Sequence, residues 1–557
     1  MPASAVRMVL AGLLSVAIAA GQDVGRLTPG TTFIDPVPRE DELLIREIHN
    51  VEDTAAGEIF LDRLSGLVVT LEDGKQRYVE GGAVILSGKF RHPAGLKAAL
   101  SGFIGKPLTA STFPAVAETI VRHFDRFDRP VVEVSFPEQD ITDGVLRVDI
   151  VEGRFGKLGV TGTVNWNIEN LTQQLSLPEI VSRAAILQEL DWINENRLRR
   201  ASASVSEGVD GETDVEFRLN GERAWRAFAG YENSGVSLVG EDRYFVGFDA
   251  GDLFHQGHQL TYQYFTDDSL MRFQAHALSY RLPLSSLRHV VTLSAAVVES
   301  EVALDGAGGL RRSDGSSWLT SASYKIPLRR YQNLKHSVAM GLEFKSSNNN
   351  FEFGGGEALD TPAEVIQAGL AYDGEIRSSI GNASFDLGLT WSPGGLSDRN
   401  SDDAFAMLRP GAQSDYVIGT AEIEVTRALG AGFEMSVEAR GQWSAGTTLI
   451  PSEQLALGGY DGVRGYEERE TLGDAGFIVS SEIYTPVLQT GSAATRGLIF
   501  LDYGVASDEF ENDSQEMASY GAGLRLQIAE KTAVRFDYGW QGETGEGRGH
   551  IGLVVEF

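Results

Sequence analysis

From Arg223 to Phe557 apolar and polar residues alternate with a period of two, interrupted at regular intervals by turn-forming residues. In the last stretch Ile551, Leu553, Val555 and Phe557 fall on one face, with Gly552 and Glu556 on the other. Sixteen segments read as strands: 224–231, 244–250, 259–266, 272–282, 290–298, 318–327, 335–345, 364–372, 383–391, 416–426, 434–443, 476–485, 497–505, 518–527, 533–538 and 550–557. About 335 residues divided among them leave about 21 for each strand and its connection, which suits spans of about ten residues crossing a bilayer at a tilt. A sandwich would have to bury two sheet faces in one core, and sixteen strands with a single apolar face have no such need. Closure satisfies every backbone group in lipid. The pattern therefore predicts a mainly β chain with a 16-stranded transmembrane β-barrel over 223–557.

Before Arg223 the period changes. Over 77–155 the pattern predicts β-α-α-β-β. Ala83–Leu86 reads as a strand, 93–103 as a helix, and 113–124 as a better-marked helix with Phe113, Val116, Ala117, Ile120, Val121 and Phe124 on one face. Val132, Val134 and Phe136 alternate, as do Leu146, Val148 and Ile150, around the turn at 140–144. A weaker copy of the same order occupies 156–222, with strands at 158–161, 201–206 and 213–219 and helical stretches near 168–175 and 184–194. Two consecutive modules of one architecture suggest a repeat.

The N-terminal 76 residues divide in two. Residues 1–19 have a positive start, an apolar run from Met8 to Ile18 and an A-x-A pattern at Ala17-Ile18-Ala19, the features of a secretory signal peptide. No cysteine follows for a lipid anchor. Residues 20–76 are turn-rich and contain a short helical candidate at 41–51, where Leu44, Ile48 and Val51 recur at i, i+4 and i+7.

Composition narrows the chemistry. Lysine and arginine number 47 against 78 acidic residues, a net charge of −31, whereas duplex-binding surfaces need clustered positive charge. No nucleic-acid partner is expected. The absence of cysteine removes disulfides, thiol catalysis and cysteine-based metal sites. His255 and His258 stand three apart near a strand end without clustered carboxylates, and read as a surface pair rather than a metal site. None of the nucleophile-elbow, phosphate-loop or zinc-protease motifs occurs, so neither an enzyme nor a cofactor is expected.

The connection over 445–472, about 28 residues long, is too long for a simple turn. Its glycines leave Arg464 as the charged chemistry of a tip that reads Val463-Arg464-Gly465-Tyr466. An arginine inside a pore loses hydration and needs a partner. Asp502 lies on the strand face opposite Leu501 and Tyr503, so it can point inward and accept a bidentate pair.

These motifs together carry a resemblance. Pro130-Val131-Val132, then Pro137-Glu138-Gln139-Asp140-Ile141 and Val151-Glu152-Gly153-Arg154, look like the end of a first polypeptide-transport-associated (POTRA) module. Tyr231-Glu232-Asn233-Ser234-Gly235 looks like a first barrel strand, and Val463-Arg464-Gly465-Tyr466 matches a loop signature. Phe500-Leu501-Asp502-Tyr503-Gly504 matches its partner motif, and Phe557 matches a C-terminal aromatic barrel-assembly signal. In this order the chain resembles the outer-membrane transporters of two-partner secretion, TpsB-type proteins in the same superfamily as barrel-assembly insertases.

The resemblance implies two periplasmic POTRA modules, at 77–155 and 156–222, ahead of the barrel. It implies a pore-plugging N-terminal helix, for which 41–51 is the candidate. The implied function is recognition of an unfolded, β-helical exoprotein by the modules and its passage through the pore without nucleotide hydrolysis. Outer-membrane lipid, lipopolysaccharide and the barrel-assembly machinery are the other implied partners. An insertase for other barrels is the alternative, although such proteins usually carry more modules; a passive porin leaves the modules and the arginine loop unexplained.

Overall fold

The computed structural model describes residues 43–45, 59–71, 78–79, 83–162, 168–220, 223–306, 309–331, 333–347, 363–378, 380–529 and 531–557. The chain forms two compact units, one over Asp41–Glu222 and the other containing Arg223–Phe557. The signal peptide expected at 1–19 and most of the 41–51 segment lie outside the described residues.

The first module is a five-stranded sheet in the order 78–79, 84–87, 66–71, 145–152, 132–135, covered by helices α1 (Pro93–Ser101) and α2 (Thr112–Arg126). Its core is the expected one: Val116, Ile120 and Phe124 of α2 pack on Leu146, Val148 and Ile150. The module begins earlier than residue 77, because Gly66–Leu71 is the central strand, paired in parallel on both sides. Its Leu67, Val69 and Leu71 enter the same core, and six residues in a near-continuous apolar run gave no clear period to read.

The second module follows its expected order. Strands Phe155–Gly162, Arg200–Glu207 and Thr213–Asn220 enclose helices α3 (Ile168–Gln174) and α4 (Arg183–Asn194). Asp128 of the first module accepts from the Ser182 hydroxyl at 2.6 Å and the Ala184 amide at 2.7 Å, so it caps α4 from outside. One expectation fails here. Leu43–Ile45 is not helical but forms an edge strand parallel to Arg200–Glu207, with Leu43 opposite Ala203. An isolated helix of about eleven residues is marginal in water, and an open sheet edge offers the same backbone ready partners.

All sixteen barrel strands form. They are β1 (Trp225–Glu232), β2 (Arg243–Leu253), β3 (His258–Thr266), β4 (Phe273–Leu284), β5 (His289–Gly306), β6 (Gly309–Pro327), β7 (Leu334–Ser347) and β8 (Ala363–Ser378). The second half comprises β9 (Gly381–Pro393), β10 (Asp415–Gly430), β11 (Phe433–Trp443), β12 (Ala475–Tyr484), β13 (Ala493–Asp508), β14 (Asp513–Ile528), β15 (Thr532–Gln541) and β16 (Gly547–Glu556). β12 resumes as Leu488–Thr490 after Pro486, which has no N–H for the ladder, and both pieces pair with β13. Every pairing is antiparallel, and β16 closes on β1 with Glu556 opposite Phe228 and Gly552 opposite Glu232. Alternation sorts the side chains by surroundings. On β13 Ile499 and Leu501 are exposed to the outside, whereas Leu498, Phe500 and Asp502 are buried on the inner side.

Candidate functional site

The connection between β11 and β12 folds back against the inner wall. Leu455–Leu457 and Thr471–Gly473 pair as a short antiparallel hairpin that carries the tip. Val463 and Leu457 pack with Tyr466 against Ile478, Ala506 and Met517 of the wall. Gly504 makes that fit possible: a Cβ there would come within 3.0 Å of both Leu457 and Val463. Gly465 has φ of +96°, and a Cβ on it would lie 2.9 Å from the Gly539 backbone. A Cβ on Gly539 would in turn lie 2.7 Å from the Arg464 backbone, so loop and wall touch main chain to main chain.

Arg464 is 2% exposed. Its Nε donates to Asp502 Oδ2 at 2.7 Å and its Nη2 to Asp502 Oδ1 at 2.7 Å, a bidentate pair, while its backbone amide adds a third bond to Oδ2 at 3.1 Å. Nη1 donates to Glu482 at 2.6 Å, and Nη2 is also 3.0 Å from Ser480 Oγ, which itself donates to Asp502 at 2.7 Å. The Phe500 ring lies beneath the guanidinium, its centroid 3.5 Å from Cζ, in cation–π contact. Burial alone would lower the Arg464 pKa, but the Glu482 and Asp502 carboxylates outweigh it and hold it above its ordinary value.

The network continues across the wall. Asp537 accepts from Arg525 at 2.5 and 3.0 Å and from Arg535 at 2.7 Å, and lies 3.6 Å from Arg464. Arg535 returns to the loop through the Tyr460 carbonyl at 2.7 Å and Asp461 at 3.1 Å. His550 Nε2 accepts the Gly465 amide at 3.1 Å, Gln541 donates to the Gly465 carbonyl at 3.1 Å, and the Tyr466 hydroxyl donates to the Ala518 carbonyl at 3.1 Å. Arg440 of β11 also donates to the Asp461 carbonyl, so six consecutive strands, β11 to β16, hold one loop tip. Such a set supplies orientation and charge neutralisation rather than bond-making chemistry.

The stem is held differently. Asp474 accepts from Arg409 at 2.5 and 3.1 Å, from the Leu449 amide at 2.9 Å and from Gln454 at 3.1 Å. Arg409 follows helix α5 (Asp402–Leu408) in the β9–β10 connection, where Phe405 is buried with Leu449 and Ile450. Glu453 forms an ion pair with Lys345 of β7.

The family model described as Haemolysin secretion/activation protein ShlB/FhaC/HecB matches residues 211–526. The chain belongs to this family. Among relatives of this ShlB/FhaC/HecB-family chain, the heme/hemopexin transporter protein HuxB of Haemophilus influenzae is 20% identical over 461 residues, 78% of each chain. The outer membrane transporter CdiB of Escherichia coli O6:K15:H31 is 21% identical over 449 residues, 76% of this chain and 72% of the other. In fold it is similar to CdiB from Escherichia coli, with TM-score 0.68 and 16% identity over 92% of this chain and 93% of that one. CdiB from Acinetobacter baumannii gives TM-score 0.61 and 14% identity, with 96% of each chain covered. This member of the family is an outer-membrane β-barrel.

In this ShlB/FhaC/HecB-family barrel the structure brings Val463, Arg464, Gly465 and Tyr466 onto the inner wall, against the inward face that carries Phe500, Asp502 and Gly504. Phe557 lies apart from them, exposed beyond β16, with its amide donating to the Ala227 carbonyl at 2.9 Å. Sequence reasoning missed Ser480, Glu482, Arg525, Arg535, Asp537 and His550. A usable signal was present, since Arg535 and Asp537 alternate with Phe536 and Tyr538 and so share the inward parity. Of the histidine pair, His258 bonds Tyr280, and His255 lies 3.5 Å from Asp252.

Proposed function

We propose that this protein exports a secreted protein across the outer membrane, taking it up in extended form through the two modules on the periplasmic side and releasing it through the barrel. The relatives support transport, one being named for heme/hemopexin and another as an outer membrane transporter. The modules suit an extended chain because edge strands Val132–Ser135 and Phe155–Gly162 each have a single partner strand among the described residues. Strand addition there draws affinity from main-chain bonds and demands little sequence.

The observation that carries the mechanism is the buried Arg464 on a loop tip, satisfied by wall carboxylates on strands far from it in sequence. A passing chain needs the lumen that this loop occupies, so in our reading the tip is a latch that holds the loop in a defined place and yields during transport. Arg464→Ala and Asp502→Ala are expected to leave the barrel folded, as judged by heat-modifiable mobility on a gel, and to cut secretion of the cognate exoprotein strongly. Normal secretion by both variants would sink the latch.

A further inference from the structure

One end of the barrel repeats a polar device on its outer face. His258 at the start of β3 bonds Tyr280 of β4 through Nδ1 at 2.6 Å. His289 at the start of β5 bonds Tyr324 of β6 at 2.5 Å, and His336 near the start of β7 bonds Tyr372 of β8 at 3.0 Å. The register is identical each time. Tyr280 stands opposite Leu260, Tyr324 opposite Val291 and Tyr372 opposite Val338, in each case the residue two beyond the histidine. All six side chains share parity with outward residues such as Tyr262, Leu293 and Met340. His336 Nε2 is 3.1 Å from the Arg329 carbonyl, so Nε2 carries its proton and Nδ1 accepts from Tyr372. A neutral His–Tyr pair has two polar hydrogens and spends one on itself. The other faces outward at His258–Tyr280 and His289–Tyr324.

The turns beside these pairs add charge and grease. Residues 285–288 and 328–333 contain Arg288, Arg329 and Arg330 and no acidic residue, in a chain of net charge −31, whereas His255 in the turn at 254–257 stands 3.5 Å from Asp252. Each turn also carries an exposed apolar or aromatic side chain: Phe254 at 72%, Leu287 at 56% and Tyr331 at 69% exposure. The pairs recur on alternate strands, on the order of 10 Å apart along the rim. N–H and O–H donors, guanidinium groups and apolar tips at one height match a phosphodiester head with its acyl chains. A free phosphate makes no use of the apolar tips.

We propose that this arc, from β3 to β8, binds anionic phospholipid headgroups in the leaflet that these turns face. The assignment is independent of what the pore transports. Its test uses the full-length protein in nanodiscs of phosphatidylglycerol or phosphatidylcholine, delipidated in detergent, with retained lipid counted by native mass spectrometry. Phosphatidylglycerol is expected to be retained about tenfold over phosphatidylcholine. Both H258Q/H289Q/H336Q and the turn variant R288Q/R329Q/R330Q should abolish most of that preference; the second leaves the strands untouched, so folding does not confound it. Equal retention of the two lipids by the unmodified protein, or a preference unchanged in the turn variant, overturns the proposal. So does displacement of the lipid by millimolar inorganic phosphate, which marks a free-anion site. Secretion is scored separately, so lost lipid retention with normal export leaves the transport reading standing.

Discussion

The first module and the barrel solve opposite problems with the same alternating pattern. In the module Leu67, Val69, Leu146 and Ile150 vanish into a core and charge stays outside. In the barrel Leu501 is 64% exposed on its strand while its neighbour Asp502 is 2% exposed. The difference teaches that period two reports only that a strand has two unlike faces. Which face is dry is decided by what lies beyond it, a helix pair in one unit and lipid in the other. The barrel interior then has to be neutralised charge by charge, and the arginine network does that on one wall.

The comparison is broken most severely at the network. Arg464→Ala leaves Asp502 and Glu482 buried without their partner, and the expected cost to the closed loop is about 3–5 kcal/mol. It should appear as protease cleavage within 458–470 that the unmodified chain resists. In the module, Leu146→Ala removes a side chain packed on every side, and about 2–5 kcal/mol of module stability should be lost in urea unfolding, cavity included. Leu501→Ala on the lipid face loses transfer energy without leaving a cavity, because acyl chains move in. A smaller cost of about 1–2 kcal/mol is expected for barrel unfolding from liposomes, and a cost equal to that of Leu146→Ala would erase the distinction. The mildest test is in the β9–β10 connection. The Asp402 carboxyl is held below its ordinary value by the Ser414 amide, with help from the Ser414 hydroxyl. That contribution is present above the usual carboxylate range and disappears as pH falls through the lowered value, so exchange of the Ser414 amide should quicken only in acid, and Asp402→Asn should make it quick throughout.

Much of this was legible from the chain alone, for identifiable reasons. Each of the sixteen strands was visible because one face must be apolar over the whole bilayer thickness. The boundaries were less so. β5 and β6 run well past the expected 290–298 and 318–327, since a hairpin can continue beyond the lipid without an apolar face. Leu43–Ile45 was misread as helix because three apolar residues satisfy either period, and a sheet edge distant in sequence decided between them. At the site, Arg464 and Asp502 stood out because a glycine-rich loop and a strand motif isolate them. Glu482 and Arg525 did not, because in a chain with 78 acidic residues nothing pairs one inward charge with another before strand neighbours are known; Asp537 carried the inward parity but no sign of its partners.

The contact between Gly465 and Gly539 bears on timing. Two bare backbones meet there, so at this point the tip has no side chain to withdraw, while Val463 and Tyr466 on either side of it stay packed on the wall. Under the proposed transport cycle the dwell time of the closed state is shared between the ion pairs around Arg464 and the packing of Val463 and Tyr466 on the wall. Those pairs are desolvated and therefore little screened by dissolved salt. The clock runs on how soon water, or the polar groups of an arriving chain, can reach Asp502 and Asp537 to stand in for the guanidinium groups. Ionic strength should then leave the export rate almost unchanged, while a solute that competes directly for carboxylates, such as guanidinium at sub-denaturing concentration, shortens the dwell.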